Sequence, residues 1–273
     1  MKKDLLQLDI YELTQAELID YITTVLSEQK IPFSQYEGNI YSFRHFGKPV
    51  FVAHMDTVKD EDMSKPLLID PMSRTLKRQD GILGADDRAG CALLLNHIHE
   101  INFLFTVDEE KGGHGSYALT TNEDWVSEVR DAECTCFVQF DRRGFGQVIG
   151  TLSDYCCEDL EQEIGKAIGF VPTRGVYTDI NNLREVLPGV NLSIGYYNEH
   201  THNEYLNIDE FFEVNNYVPI LNEALAFKVF ESPSVDPYEY EIPPLSRDEL
   251  LLIGFDEDEI DWFAGHTGGR YGF

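Results

Sequence analysis

Pro49-Val50-Phe51-Val52-Ala53-His54-Met55-Asp56 is the stretch that decides the reading of this chain. A short apolar run rich in valine and phenylalanine is a strand buried on both faces, and such strands belong to sheets covered by helices. The run stops at His54 and Asp56, so the strand hands over polar side chains at its carboxyl end. Ligands collect at that end in open α/β sheets.

The pattern recurs along the sequence. Phe103-Leu104-Phe105-Thr106-Val107 runs into Asp108-Glu109-Glu110, and the apolar segment from Cys136 to Phe140 runs into Asp141. Asp86 and Asp87 open a helix that continues through Ala89, Ala92, Leu93, Leu94 and Leu95. Upstream, Thr14 caps a helix to about Lys30, with Glu17 completing a capping box. Short strands are expected at 33–36 and 40–44, and a hairpin at 67–77 turning near Asp70-Pro71. Downstream the spacing predicts helices at 116–119, 159–168, 180–186 and 209–229, and strands near 170–171 and 190–196. Thr178-Asp179 reads as the cap of the helix at Ile180. Strands alternating with helices predict a three-layer α/β/α domain around a central mixed, largely parallel sheet.

Composition narrows the function. The 273 residues carry 49 acids against 21 bases, a formal charge of −28, with 42% hydrophobic residues to build a core. An acidic surface repels phosphate, which argues against nucleic acid and anionic membranes as partners. Five cysteines form no disulfide framework, and Cys134-Thr135-Cys136 reads as buried strand rather than metal site. The acidic, interrupted amino-terminal segment is no signal peptide, and no run of 18 apolar residues is present. A soluble cytoplasmic protein is expected. Near Glu231 the composition changes. Residues 1–232 are expected to form the catalytic domain, and 233–273 a proline-containing linker and acidic tail. From Val235 onward the tail holds 10 acids and 2 bases. It reads as a solvated tail or, given Leu252, Phe255, Ile260, Trp262 and Phe263, as a small helical module for protein contact.

Histidines and acids thus gather at successive strand ends and helix starts: His54 and Asp56, Asp86 and Asp87, Asp108 to Glu110, Asp141, then His200 and Glu204. Each group alone has a structural explanation, such as helix capping or a solvated loop. Together they place several carboxylates on one sheet edge, where like charges raise one another's pKa. Divalent cations relieve that repulsion, and mixed imidazole and carboxylate donors suit zinc, with manganese or cobalt as substitutes.

Val52-Ala53-His54-Met55-Asp56-Thr57-Val58, Leu83-Gly84-Ala85-Asp86-Asp87-Arg88-Ala89-Gly90 and Phe105-Thr106-Val107-Asp108-Glu109-Glu110-Lys111-Gly112 resemble three signature segments of the co-catalytic dizinc exopeptidase superfamily. Phe140-Asp141 and His200-Thr201-His202-Asn203-Glu204-Tyr205 resemble two more, in the same order, and the wording leans towards peptidase T. The resemblance implies two divalent ions held by His54, Asp86, Glu110, Asp141 and His200, with Asp86 bridging. It implies that Asp56 orients the His54 ring, that Glu109 is the general base, and that the bond between Asp86 and Asp87 is cis. His200 is preferred to His202 because its spacing to Glu204 matches the family.

Many relatives carry a second domain between the fourth and fifth segments, but only 58 residues separate Asp141 from His200 here. That gap resembles the single-domain aminopeptidases. Arg88, Arg142 and Arg143 are candidates for a substrate carboxylate, or else balance local charge. His97 and His99 are placed on the helix after Asp86, and His114 in a loop that lines the pocket or turns at the surface. The resemblance implies a hydrolase acting on short peptides as an aminopeptidase. An N-acyl amino acid deacylase with the same site is the alternative, and a non-catalytic metal-binding or interaction protein the third reading.

Overall fold

The computed structural model describes residues 5–232; the predicted linker and tail lie outside them. The predicted first helix is α1 (Gln15–Glu28), opened by Thr14 and Glu17 in a reciprocal capping box. The strands are β1 (Ser34–Tyr36), β2 (Asn39–Ser42), β3 (Val50–His54), β4 (Leu67–Asp70), β5 (Thr75–Arg78), β6 (Asn102–Thr106), β7 (Phe137–Arg142), β8 (Gln147–Ile149), β9 (Val171–Thr173), β10 (Gly189–Ser193), β11 (Tyr196–Tyr197) and β12 (Tyr205–Asn207). The remaining helices are α2 (Ala85–Asn96), α3 (His114–Thr120), α4 (Glu123–Asp131), α5 (Glu158–Ile168), α6 (Ile180–Leu183) and α7 (Ile208–Ala224).

Eight strands form the central sheet in the order β1-β2-β6-β3-β7-β10-β8-β9. The middle of that sheet, β6-β3-β7-β10, is parallel. β1 and β2 pair antiparallel, as do β2 with β6 and β8 with β10. The expected mixed, largely parallel sheet is therefore present.

Alternation along the strands builds the two helical layers, because successive side chains point to opposite faces. Phe51 and Ala53 of β3, Phe103 and Phe105 of β6, and Val138 and Phe140 of β7 pack with α1, α2, α5 and α7. Val50 and Val52, Leu104, and Phe137 pack with Leu119 of α3, Trp125 and Val129 of α4, and Ile180 and Leu183 of α6. Trp125 is fully buried and stacks on Phe137 at 6.2 Å. Of the described residues, no helix is long and apolar enough to cross a membrane.

Several expectations need correction. The run 190–196 is two strands: Gly195, at φ +96°, breaks it, so β10 stays in the central sheet while β11 joins a second sheet ordered β11-β12-β5-β4. A Cβ at residue 195 would lie 2.9 Å from the Glu210 Cβ, so only glycine fits this crossing. The last helix stops at Ala224, not near 229. His97 and His99 lie beyond the end of α2. Cys134, Thr135 and Cys136 are buried just before β7 starts.

Candidate metal centre

β6, β3 and β7 lie side by side and run the same way, so their carboxyl ends meet at one edge. β3 ends at His54, with Asp56 two residues on; β6 leads into Asp108-Glu109-Glu110; β7 carries Asp141. α2 supplies Asp86 from its first turn, and the peptide bond between Asp86 and Asp87 is cis. His200 comes from the connection between β11 and β12.

The side chains converge. His54 Nε2 lies 3.0 Å from Asp86 Oδ1 and 3.6 Å from Asp141 Oδ1. His200 Nε2 lies 3.2 Å from Asp86 Oδ2 and 2.9 Å from Glu110 Oε1. Asp86 thus presents one oxygen to each imidazole. Asp56 stands behind: its Oδ1 lies 3.2 Å from His54 Nδ1, while its two oxygens accept the backbone N–H groups of Glu109 and Glu110 at 3.0 and 3.1 Å. One carboxylate therefore fixes both the His54 ring and the loop carrying the two glutamates.

The Glu109 side chain is buried and stays outside the hydrogen bonds that join the other acids, among the described residues. Burial pushes its carboxyl well above the usual carboxylate range, and the nearby Asp141 adds to the shift. Burial and then Asp86 push Asp141 up to about 7, and burial chiefly raises Glu110. Burial would also raise Asp86, but hydrogen bonds from His200 and His54 hold it well below the ordinary value. Burial disfavours the His54 imidazolium, yet Asp141, Asp56 and Asp86 raise its pKa well above normal; Glu110 and Asp86 do the same for His200.

The donor set fits divalent cations. Donor atoms of His54, Asp86 and Glu110 lie within 4.8 Å of one another, and so do those of His54, Asp87 and Asp141. The arginine nearest in sequence turns away: Arg88 is buried and donates to the Met55 carbonyl and, at 2.9 Å, to the Leu13 carbonyl. Asp87 is a backbone acceptor, bound to the N–H groups of His54 at 3.2 Å and Gly90 at 2.9 Å. Its side chain braces β3 against α2.

Other residues around the donors were not assigned from the sequence. Glu204 is buried and accepts from the N–H groups of Gly84, Ala85 and Asp86 at 2.9, 2.7 and 3.3 Å. Burial pushes its carboxyl up to about 8. Its spacing to His200 was visible, but not its target. Asp141 accepts from Thr178 Oγ1 at 2.9 Å, Gln139 Nε2 at 3.2 Å and the Tyr196 hydroxyl at 3.2 Å. Asp179 stands at the N-cap of α6 as expected, but its side chain makes no cap bond and instead accepts from Thr106 Oγ1 at 2.5 Å. His97 Nε2 is 2.9 Å from the Asn215 carbonyl, and His114 and His202 are exposed.

Neither a protein-family model nor a curated protein sequence matches the chain. Solved structures do. Aminopeptidase PepT from Bacillus cereus superposes with a TM-score of 0.66 at 14% identity, covering 82% of this chain and 99% of that one. A tripeptidase from Staphylococcus aureus gives 0.61 at 16% identity, covering 84% and 99%. The TET1 peptidase of Pyrococcus horikoshii gives 0.54 at 14% identity, covering 76% and 93%.

The chain has the fold of these peptidases.

At these identities the likeness is one of fold alone. Within this fold, the interval between Asp141 and His200 is spent on β8, α5, β9, α6, β10 and β11. Arg143 pairs with Glu199 at 3.2 Å, and Arg142 Nε donates to Gln147 Oε1 at 3.4 Å.

Proposed function

We propose that this protein is a metal-dependent exopeptidase that removes residues from the amino end of short peptides. The observation that carries the reading is Asp86 set between two imidazoles, with Oδ1 3.0 Å from His54 Nε2 and Oδ2 3.2 Å from His200 Nε2. That is the disposition of a carboxylate shared by two cations. His54 and Asp141 would hold one ion and His200 and Glu110 the other, with zinc the best match to the donors and manganese or cobalt able to replace it. When bound, such a pair supplies Lewis acidity towards a carbonyl and makes water a better nucleophile near neutral pH.

The chain's own residues do the rest. Asp56 keeps Nε2 of His54 directed at the donors by engaging Nδ1. Glu109 accepts the proton of the attacking water and returns it to the departing amine. Its neighbour Glu110 is taken by His200 at 2.9 Å, so the two adjacent glutamates divide the labour. Burial around Glu109 strengthens each electrostatic contact at the reacting centre.

Glu109→Gln separates holding metal from using it. The variant is expected to retain metal by mass spectrometry and to lose turnover by about 10²–10⁴-fold. Full activity in Glu109→Gln would remove the base assignment.

A further inference from the structure

Most carboxylates around the centre are already committed. Asp56 and Asp87 accept backbone N–H groups, and Glu204 accepts three. Asp179 accepts from Thr106 through Oδ2 and, like Glu199, keeps a second oxygen without a hydrogen-bond partner, but no part of its side chain reaches the surface. Glu199 is different. It immediately precedes His200 and lies within electrostatic reach of Asp86 and His200. Its Oε1 accepts from Arg143 Nη1 at 3.2 Å, whereas its Oε2 is buried with no hydrogen-bond partner. His200 beside it has a side chain 40% exposed, so the pair sits where the centre opens to solvent.

A carboxylate oxygen shielded from water and left without a donor is unfavourable, and a donor that arrives with a ligand relieves it. The complementary group is a cation with several N–H bonds that reaches the centre with the scissile amide. A peptide's α-ammonium group, one residue from its first amide bond, meets that description. We infer that Glu199 is the specificity-determining acid of the site, receiving the free amino terminus of the substrate. Arg143 is its positioning residue, holding Oε1 so that Oε2 faces the ligand. An N-acylated substrate brings no positive charge and leaves the buried oxygen unmatched, so the same residue discriminates against blocked peptides. The assignment rests on the exopeptidase reading and decides, within it, for aminopeptidase over deacylase.

The test uses the full chain reconstituted with zinc, with L-alaninamide and N-acetyl-L-alaninamide as binding probes in calorimetric titrations. Wild type is expected to prefer the free amine. Glu199→Gln, with metal content retained, should weaken alaninamide binding about 10- to 100-fold, the loss of one charged hydrogen bond, and leave the acetylated probe unchanged. Glu199→Asp keeps the charge but shortens the reach, and should lose only part of the preference. Should Glu199→Gln not fold, the Asp variant alone decides, because an unaltered preference there contradicts the assignment. Equal weakening of both probes, or a wild-type preference kept in both variants, overturns it. Trialanine and N-acetyltrialanine as substrates separate the two levels. Wild-type cleavage of trialanine with an unchanged preference in the variants removes only the Glu199 role. Wild-type cleavage of the blocked peptide alone removes the aminopeptidase reading itself.

Discussion

Glu204 braces the turn that carries Asp86. Its carboxylate closes over the N–H groups of Gly84, Ala85 and Asp86, the turn that delivers the carboxylate shared by both imidazoles. Gly84 has φ +72°, and a Cβ there would meet Met63 and Thr57 at 3.3 Å, so this turn is held by glycine from within and glutamate from outside. Glu204→Ala would leave three buried donors without their acceptor. We expect a stability loss of about 2–4 kcal/mol in denaturant unfolding. Metal affinity should fall about 10- to 100-fold in the same variant, as for other residues that orient ligands. Unchanged metal affinity would mean that Asp86 holds its place unaided. At this scale the sequence was legible in its clustered acids and histidines: His54, Asp56, Asp86, Glu109, Glu110, Asp141 and His200 come together at one sheet edge. It did not show what Asp87, Glu204, Thr178 and Tyr196 bind, because their partners are backbone groups or side chains far along the chain.

At the scale of elements, long periodic segments were legible, and short ones only in part: β1, β9 and α6 were expected, whereas α4, β8 and β12 were not. β3, β6 and α1 follow from apolar spacing and a capping box. α4 went unread although Asn122 accepts from the N–H groups of Asp124 and Trp125, and β8 and β12 are too short to show a period. The crossing at Gly195 was missed because the residues on either side are equally apolar. One contact between elements is testable by pH. Glu163 of α5 accepts from Lys166 at 2.7 Å and from Lys228, beyond α7, and these hydrogen bonds hold its carboxyl at about 2. A depressed folded-state pKa gives stability that is present above the unfolded value near 4.5 and is lost as pH falls towards 2. Chemical denaturation of wild type and Glu163→Gln should therefore differ slightly at pH 6, the mutant being weaker, and converge as the pH is lowered through that window. A gap that widens on acidification would contradict the pairing.

For the whole molecule, the charge of −28 divides into an acidic surface and an acid-rich centre. The surface names no substrate, whereas the centre gathers Asp56, Asp86, Glu109, Glu110 and Asp141 at the carboxyl edge of three parallel strands. On the proposed function, this centre hydrolyses peptides from the amino end only when it holds metal. The direct measurement takes the full chain stripped by chelator and reloads it separately with zinc, manganese and cobalt. Each form is then assayed on trialanine and N-acetyltrialanine. No cleavage is expected after stripping, with release of alanine from trialanine restored by at least one metal and little action on the acetylated peptide. Cleavage that survives chelation, or no cleavage of trialanine with any of the three metals, would contradict it.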